Sequence, residues 1–195
     1  ACDGYIVTGS AAGVYENHSW IDPLMAFIRK AYGADIPLLG ICFGHQAIAQ
    51  ALGGEVVKWP DGWGVGVRPT RFERQPVDKA ELPDDAVVKL IYFHQDQVTR
   101  LPEGAERLAS SDFCDIAGFT LCTTDGVQTV LCLQGHPEFD AGYSTALLDS
   151  IESKVGTDRT KAARATLAKK ADSLLVAGWI KQFFTTAAQR RGWAA

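Results

Sequence analysis

One short segment restricts the possible folds of this chain more than any other: Gly-Ile-Cys-Phe-Gly at residues 40–44. It completes an apolar run at residues 37–41, which is typical of a buried strand. It opens a stretch of small apolar residues at 44–52, which a glycine pair ends as expected of a helix. A glycine-flanked cysteine between a strand and a helix predicts a nucleophile elbow, with its thiol exposed above a sheet.

The predicted helix start also gives Cys42 a physical reason to be reactive. The free amides and the positive dipole end of a helix N-terminus stabilise a thiolate over a thiol. The alternative is a buried cysteine of an apolar strand, which is where free cysteines are often found. The flanking glycines and the helix start favour the nucleophile interpretation.

The remainder of the chain predicts an α/β protein. Residues 4–8 form a second apolar strand, and the helix between the strands is predicted to begin at Asp22 as N-cap and to end at Gly33. Strand, helix and strand together predict a right-handed parallel crossover. Short alternating segments then predict strands, some of them antiparallel, at residues 56–59, 65–67, 87–93, 116–122 and 127–133. Helical spacing returns at residues 145–151 and 160–184.

Composition excludes several classes of function. The 195 residues carry a net charge of −4 with no basic patch, which argues against nucleic-acid binding. No apolar run reaches the roughly 18 residues of a membrane span. The five cysteines are odd in number and form no Cys-x-x-Cys pair, so neither a disulfide framework nor a zinc site is predicted. We therefore expect a cytoplasmic protein without a cofactor or metal.

A cysteine nucleophile needs a base within hydrogen-bonding reach and a group that orients the base. Of the four histidines, only His136 follows a long apolar strand and precedes a proline and the carboxylate of Glu138. An extended backbone places residues two apart on one face, although a surface turn is the alternative. His45 is expected in packing or capping and His18 in a loop, while His94 fits a site loop and a solvated turn equally.

Four motifs occur in an order that resembles class I glutamine amidotransferases, especially the free-standing proteins related to the glutaminase domain of GMP synthase. They are Val-Thr-Gly-Ser at 7–10, Gly-Ile-Cys-Phe-Gly-His-Gln at 40–46, His-Gln-Asp at 94–96 and Gln-Gly-His-Pro-Glu-Phe at 134–139. The resemblance implies a flavodoxin-like α/β fold, in which helices flank a central, mostly parallel sheet with a small antiparallel portion. Family members normally begin with another strand and helix, so residues 1–195 are predicted to form a single domain without them.

The resemblance also implies the chemistry, which is hydrolysis of the glutamine side-chain amide through a cysteine thioester. Cys42 would be the nucleophile, His136 the base and Glu138 its orienting carboxylate. The implied oxyanion donors are the backbone amides of Phe43 and of the turn at Gly9 and Ser10. The implied substrate-binding residues are Gln46, Phe93, Gln95 and Asp96, the last three mainly through their backbones.

Three functions remain open at this point. The chain could be a glutaminase that supplies ammonia to a separate synthase subunit, since no ATP-pyrophosphatase motif follows the hydrolase region. It could be a free-standing γ-glutamyl peptidase, or a catalytically idle binding module, which the complete set of triad residues disfavours. A comparison of glutamine with γ-glutamyl peptides separates the first two, and thiol labelling tests the third.

Overall fold

The strand–turn–helix unit predicted around Cys42 forms one part of a parallel crossover. In the computed structural model, which describes residues 2–78, 80, 82, 83 and 85–190, the chain begins with β1 (Tyr5–Val7), α1 (Ile21–Gly33), β2 (Leu38–Ile41) and α2 (Phe43–Ala51). Strands β1 and β2 pair in parallel, with Ile6 beside Leu39. The predicted parallel pairing of these two strands is therefore confirmed.

The other strands extend this sheet and add a small second one. They are β3 (Glu55–Lys58), β4 (Gly64–Phe72), β5 (Ala86–His94), β6 (Asp96–Arg100), β7 (Glu106–Ser111), β8 (Gly118–Cys122) and β9 (Gln128–Leu133). The order in the main sheet is β1-β2-β9-β8-β7-β4-β5, and β3 pairs with β6 in an antiparallel ribbon. Pairing is parallel from β1 through β2 to β9 and antiparallel beyond. Only β8 and β4 therefore run against the common direction of the sheet.

Both faces of the parallel part are covered by helices. Alternate residues of β2 and β9 point to opposite sides, as a strand requires. Leu38 and Val130 pack with α1 and α2 in one core cluster, whereas Leu39 and Leu131 join a second cluster. The helix α5 (Ser173–Arg190) contributes to that second cluster. This layering explains why β2 and the end of β9 are apolar at nearly every position.

The start of α1 differs from the prediction. Its N-cap is Trp20, without a side-chain cap hydrogen bond, and Asp22 lies inside the first turn instead of capping it. The buried stripe of the helix includes Ile21 and Met25, so burial of Ile21 extends the helix toward the N-terminus. Asp22 still suits its place, because a carboxylate in the first turn complements the helix dipole.

The predicted long helix at residues 160–184 is two helices. After α3 (Ala141–Val155), the chain forms α4 (Thr157–Leu167) and then α5, with a break between them. The break follows from Asp172, whose amide donates to the carbonyl of Lys89 and whose carboxylate accepts from the Lys89 amide, both at 2.8 Å. These bonds attach the break to β5. No helix in the described part of the chain is long and apolar enough to cross a bilayer.

Candidate active site

Cys42 occupies the sharp turn between β2 and α2. It is the N-cap of α2 and has φ 52° and ψ −104°, a conformation that residues with a side chain rarely adopt. Its amide donates to the carbonyl of Leu133 at 2.9 Å, which ties the turn to the end of β9. The residue is only 6% exposed, so the expectation of an exposed thiol was wrong. The reason is that neighbouring elements pack over the turn.

The two flanking glycines are needed because the backbone is crowded on both sides of Cys42. A methyl group at Gly44 would lie 1.9 Å from the carbonyl oxygen of Val7 in β1. A methyl group at Gly40 would lie 2.7 Å from the carbonyl oxygen of Gly44. Any side chain at these positions would push α2 away from the sheet, so steric exclusion fixes the place of the cysteine.

His136 and Glu138 lie just beyond the end of β9. The amide of His136 donates to the carbonyl of Ile91 in β5 at 2.7 Å, which holds the backbone of the histidine. Its Nδ1 donates to Oε1 of Glu138 at 2.7 Å. The imidazole is almost fully buried, whereas the side chain of Glu138 is 49% exposed. The predicted histidine–carboxylate pair is thus formed in the structure.

The imidazole of His136 also interacts with the Cys42 thiol. Burial alone lowers the pKa of His136, but hydrogen bonding and charge from Cys42 and Glu138 outweigh burial and raise this pKa to about 9. The ring is therefore an imidazolium at neutral pH. Phe139 stacks on the ring with centroids 3.9 Å apart and planes 12° from parallel, which fixes its orientation.

Of the predicted oxyanion donors, Gly9 and Phe43 lie next to Cys42. A methyl group at Gly9 would be 3.1 Å from Cε1 of His136 and 3.9 Å from Cβ of Cys42. Phe43 follows Cys42 as the first residue of α2, where amides have no acceptor within the helix. Ser10 is exposed, and its hydroxyl accepts a bond from the Ala12 amide at 3.2 Å. Ser10 therefore shapes the local turn.

The buried carboxamide of Gln46 contacts the backbone of Asp96. Nε2 of Gln46 donates to the Asp96 carbonyl at 2.8 Å and to Oε1 of Gln134 at 3.1 Å. Nδ1 of His94 donates to the same Asp96 carbonyl at 2.9 Å. That carbonyl therefore accepts two bonds, and the carboxylate of Asp96 accepts a third from the hydroxyl of Tyr15 at 3.0 Å.

The side chains of Phe93 and Gln95 point to other parts of the molecule. Phe93 makes an edge contact with Trp63, with ring centroids 6.2 Å apart. Nε2 of Gln95 donates to the carbonyl of Trp59 at 3.0 Å. This arrangement agrees with a role through the backbone, as the sequence analysis expected for these two positions.

The other three histidines contact residues other than Cys42. His45 is fully buried with its ring 5.1 Å from that of Phe119, and burial lowers its pKa to about 3. His94 is also buried, which lowers its pKa to about 4. His18 lies in a loop and pairs with Glu16. In the described residues, no group of three or more His, Cys, Asp or Glu is placed to hold a metal ion.

Comparison with known proteins agrees with this geometry. The family model for "Glutamine amidotransferase class-I" matches residues 1–150, which include every predicted site residue. The chain belongs to the class I glutamine amidotransferase family. The chain is 30% identical over 156 residues to γ-glutamyl peptidase 4 of Arabidopsis thaliana, covering 76% of this chain and 59% of that protein. It therefore spans little more than half the length of such relatives.

Two further similarities concern a synthase and the fold. A glutamine-hydrolysing GMP synthase of Ralstonia pickettii is 34% identical over 139 residues, which are 68% of this chain but only 24% of that enzyme. The crystal structure of a glutamine amidotransferase from Thermotoga maritima matches with a TM-score of 0.73 at 23% identity, covering 92% of this chain and 77% of the other. The predicted flavodoxin-like amidotransferase fold is thereby confirmed.

The sequence analysis predicted no role for three residues in the region of the site. Phe139 and Gln134 lie inside a quoted motif, but their contacts with His136 and Gln46 depend on how β9 meets α2 and β5. The third is Tyr15, whose hydroxyl donates to Oδ1 of Asp96 across 81 positions of sequence. No local pattern signals such a contact, and only the fold brings the two residues together.

Proposed function

We propose that this chain hydrolyses a γ-glutamyl amide bond through a thioester on Cys42. The observation that carries the proposal is the arrangement of a cysteine at a helix N-terminus beside a histidine whose pKa is raised to about 9 by that cysteine and by Glu138. A thiolate beside an imidazolium combines a strong nucleophile with a proton donor for the leaving nitrogen.

The proposed reaction uses these groups in order. The Cys42 thiolate attacks the amide carbon, and the carbonyl oxygen becomes an oxyanion between the amides of Gly9 and Phe43. His136 then gives its proton to the amide nitrogen, the carbon–nitrogen bond breaks, and ammonia or an amine leaves. Neutral His136 next takes a proton from water, which attacks the thioester and releases glutamate and the thiolate. Glu138 keeps Nδ1 of His136 protonated and oriented.

Substrate recognition is assigned to the turn between β5 and β6. Backbone groups of Phe93, Gln95 and Asp96 would hold the amino-acid end of the γ-glutamyl group. Gln46 would support this turn, because its carboxamide is bonded to the Asp96 carbonyl. It lies one helical turn after Cys42. In this proposal, the carbonyl carbon of the γ-carboxamide would lie near the sulfur when the amino-acid end is bound at the turn.

Glutamine is the first candidate substrate, with ammonia as the leaving group. The similarity to a GMP synthase supports a role in which a separate synthase subunit receives the ammonia. The second candidate is a γ-glutamyl peptide, which the similarity to γ-glutamyl peptidase 4 over 76% of the chain favours. The same chemistry serves both, since only the group on the leaving nitrogen differs.

The nucleophile is tested with a glutamine-like chloroketone, which alkylates a thiolate that has bound a γ-glutamyl group. We expect one equivalent of label on Cys42 and none on the Cys42→Ser variant, measured by peptide mass spectrometry. Burial raises the pKa of the Cys114 thiol to about 12 and that of Cys132 as well, so both should stay unlabelled. Label shared equally with Cys114 or Cys132 would contradict the proposal.

The leaving group is tested by measuring kcat/KM for glutamine and for a γ-glutamyl dipeptide on one preparation. Faster turnover of glutamine, rising further when a synthase partner is added, would support the ammonia-supplying role. Faster turnover of the dipeptide would establish the peptidase role instead. Turnover of neither substrate above the Cys42→Ser background would refute hydrolysis and leave the binding-module alternative.

A further inference from the structure

The loop at residues 8–20, between β1 and α1, carries Gly9 near its start and forms one side of the candidate site. The backbone hydrogen bonds of its described residues stay inside the loop or at the start of α1: the amides donate from Glu16 to Gly13, His18 to Glu16, Ile21 to His18 and Leu24 to Trp20. Packing adds anchors, because Val14 is buried in the core and Trp20 lies 5.5 Å from the Phe43 ring. Hydrogen bonding to the rest of the fold must therefore come from a side chain.

Tyr15 supplies that hydrogen bond. Its hydroxyl donates to Oδ1 of Asp96 at 3.0 Å, which connects the loop to the turn that begins β6. The two segments are also in close contact at Gly13, where a methyl group would be 3.0 Å from Oδ2 of Asp96 and 2.9 Å from Cζ of Tyr15. The tyrosine ring remains half exposed, so core packing does not hold it in place.

The protonation states suit this contact. Burial of the hydroxyl and its bond to Asp96 raise the pKa of Tyr15 to about 12, so it is a donor at neutral pH. Burial raises the pKa of Asp96, while the Tyr15 bond and the charge of Lys58 oppose that rise. A neutral hydroxyl donating to a carboxylate is among the stronger kinds of hydrogen bond in proteins.

The backbone of Asp96 is held in place by two hydrogen bonds. Its carbonyl accepts from Gln46 of α2 and from His94. Tyr15 is thus linked, through Asp96 and Gln46, to the helix that begins beside Cys42. The chain of contacts joins the loop that carries Gly9 to the element that carries Phe43, the two proposed oxyanion donors.

We propose that Tyr15 is a positioning residue, which holds the loop at residues 8–20 so that the Gly9 amide faces the same oxyanion as the Phe43 amide. This inference rests on the proposed function and adds a residue to it. Because the oxyanion forms only during the reaction, loss of the Tyr15–Asp96 hydrogen bond should reduce kcat and leave KM nearly unchanged.

The kinetic test is Tyr15→Phe, which removes only the hydroxyl. With glutamine or γ-glutamyl-p-nitroanilide, whichever the unmodified chain hydrolyses, we expect kcat to fall about 5- to 10-fold with KM within about twofold. The matched control is Tyr32→Phe, since Tyr32 packs on the core from α1 far along the chain. An unchanged kcat, or the same loss in the control, would overturn the inference.

A double-mutant cycle separates the effect of the Tyr15–Asp96 hydrogen bond on kcat from any other effect of the tyrosine. If Tyr15 acts by holding Asp96, Tyr15→Phe should cost nothing further in an Asp96→Ala background. Additive losses would mean that the two residues act independently, and the inference would then fail. Failure of the proposed function has another signature, since all variants would equal the Cys42→Ser background.

Hydrogen–deuterium exchange tests the same hydrogen bond independently of turnover. In Tyr15→Phe, amides at residues 9–16 should exchange several-fold faster than in the unmodified chain, whereas those of α2 should not change. Tyr32→Phe should leave both regions as they are. Identical exchange at residues 9–16 in all three proteins would refute a positioning role whatever the substrate is.

Discussion

The two sides of the candidate site are held in place by different physical means. On one side, the turn around Cys42 is buried, and backbone atoms approach so closely that Gly44 has no room for a methyl group. On the other side, Ser10 and Tyr15 belong to a loop that is largely exposed and whose hydrogen bonds are mostly internal. Steric exclusion fixes the position of Cys42, whereas a few contacts fix the position of the loop.

This difference separates stability from activity. A change at the Cys42 turn must displace a helix from the sheet, so its cost falls on the free energy of unfolding. A change in the loop can be absorbed by local movement, so its cost falls on transition-state stabilisation. Four substitutions test the distinction, and they are given from the largest expected effect to the smallest.

Gly44→Ala should have the largest effect. Since the added methyl would lie 1.9 Å from the Val7 carbonyl oxygen, we expect a loss of about 3 kcal/mol or more in the free energy of unfolding, measured by urea denaturation. The control is Gly178→Ala in α5, where the methyl meets no atom within 4 Å and alanine should be neutral or stabilising. Equal stability of the two variants would contradict steric fixation of the turn.

Glu138→Gln should lower kcat by about 100-fold without unfolding the protein, because Glu138 orients His136 in the proposed mechanism and is itself half exposed. The loss should be smaller than for Cys42→Ala, which removes the nucleophile and should cost on the order of 10,000-fold. The exposed Glu103→Gln serves as the control. Losses as large as those of Cys42→Ala would give Glu138 a greater role than orientation.

The same variant has a pH signature. Glu138 raises the pKa of His136, so its replacement should lower that pKa. In the proposed mechanism the protonated imidazole donates to the leaving nitrogen, so activity should fall as pH rises through this pKa. The alkaline limb of the kcat/KM profile should consequently move to lower pH in Glu138→Gln, and an unmoved limb would disconnect Glu138 from the base.

Gly9→Ala should affect activity more than stability. The added methyl would lie 3.1 Å from Cε1 of His136, a tight but adjustable contact in a loop with few restraints. We expect kcat to fall about 10-fold, with the free energy of unfolding changed by no more than about 1 kcal/mol. Gly33→Ala, at an open position of α1, is the control. A stability loss like that of Gly44→Ala would show that the loop is fixed as firmly as the turn.

Cys42→Gly should have the smallest effect and act in the opposite direction. The backbone of Cys42 has φ 52°, which glycine adopts without strain. We expect Cys42→Gly to be about 1 kcal/mol more stable than Cys42→Ala in thermal and urea denaturation, although neither can form a thioester. If the alanine variant is as stable, the turn stores no strain at the nucleophile.

What the sequence predicted well was local or was carried by a motif. The elbow around Cys42, the pairing of His136 with Glu138 and the parallel crossover each depend on residues close together in the chain. The start of α1 was placed two positions late, with Asp22 instead of Trp20 as N-cap, because the burial of Ile21 outweighs the capping preference of Asp22. Such burial is decided by the tertiary structure.

What the sequence could not predict lies between distant segments. The burial of Cys42, the bond from Gln46 to Gln134 and the contact of Tyr15 with Asp96 all arise where elements separated by many residues meet. Strand β6 was missed because it begins with the polar residues Asp96 and Gln97. The strand β7 was also missed, since its first residues, Glu106 and Arg107, are charged and exposed. Its identity comes from pairing with β8 and β4.

The attachment of Asp172 to β5 has a consequence for solubility. Strand β5 is the last strand of the main sheet, and an uncovered edge strand is a template for intermolecular pairing and aggregation. Two of its positions are already occupied: Lys89 exchanges hydrogen bonds with Asp172, and the Ile91 carbonyl accepts from the His136 amide. The helix break and the backbone of His136 thereby protect this edge, so the proposed base also keeps the sheet from pairing with a second chain.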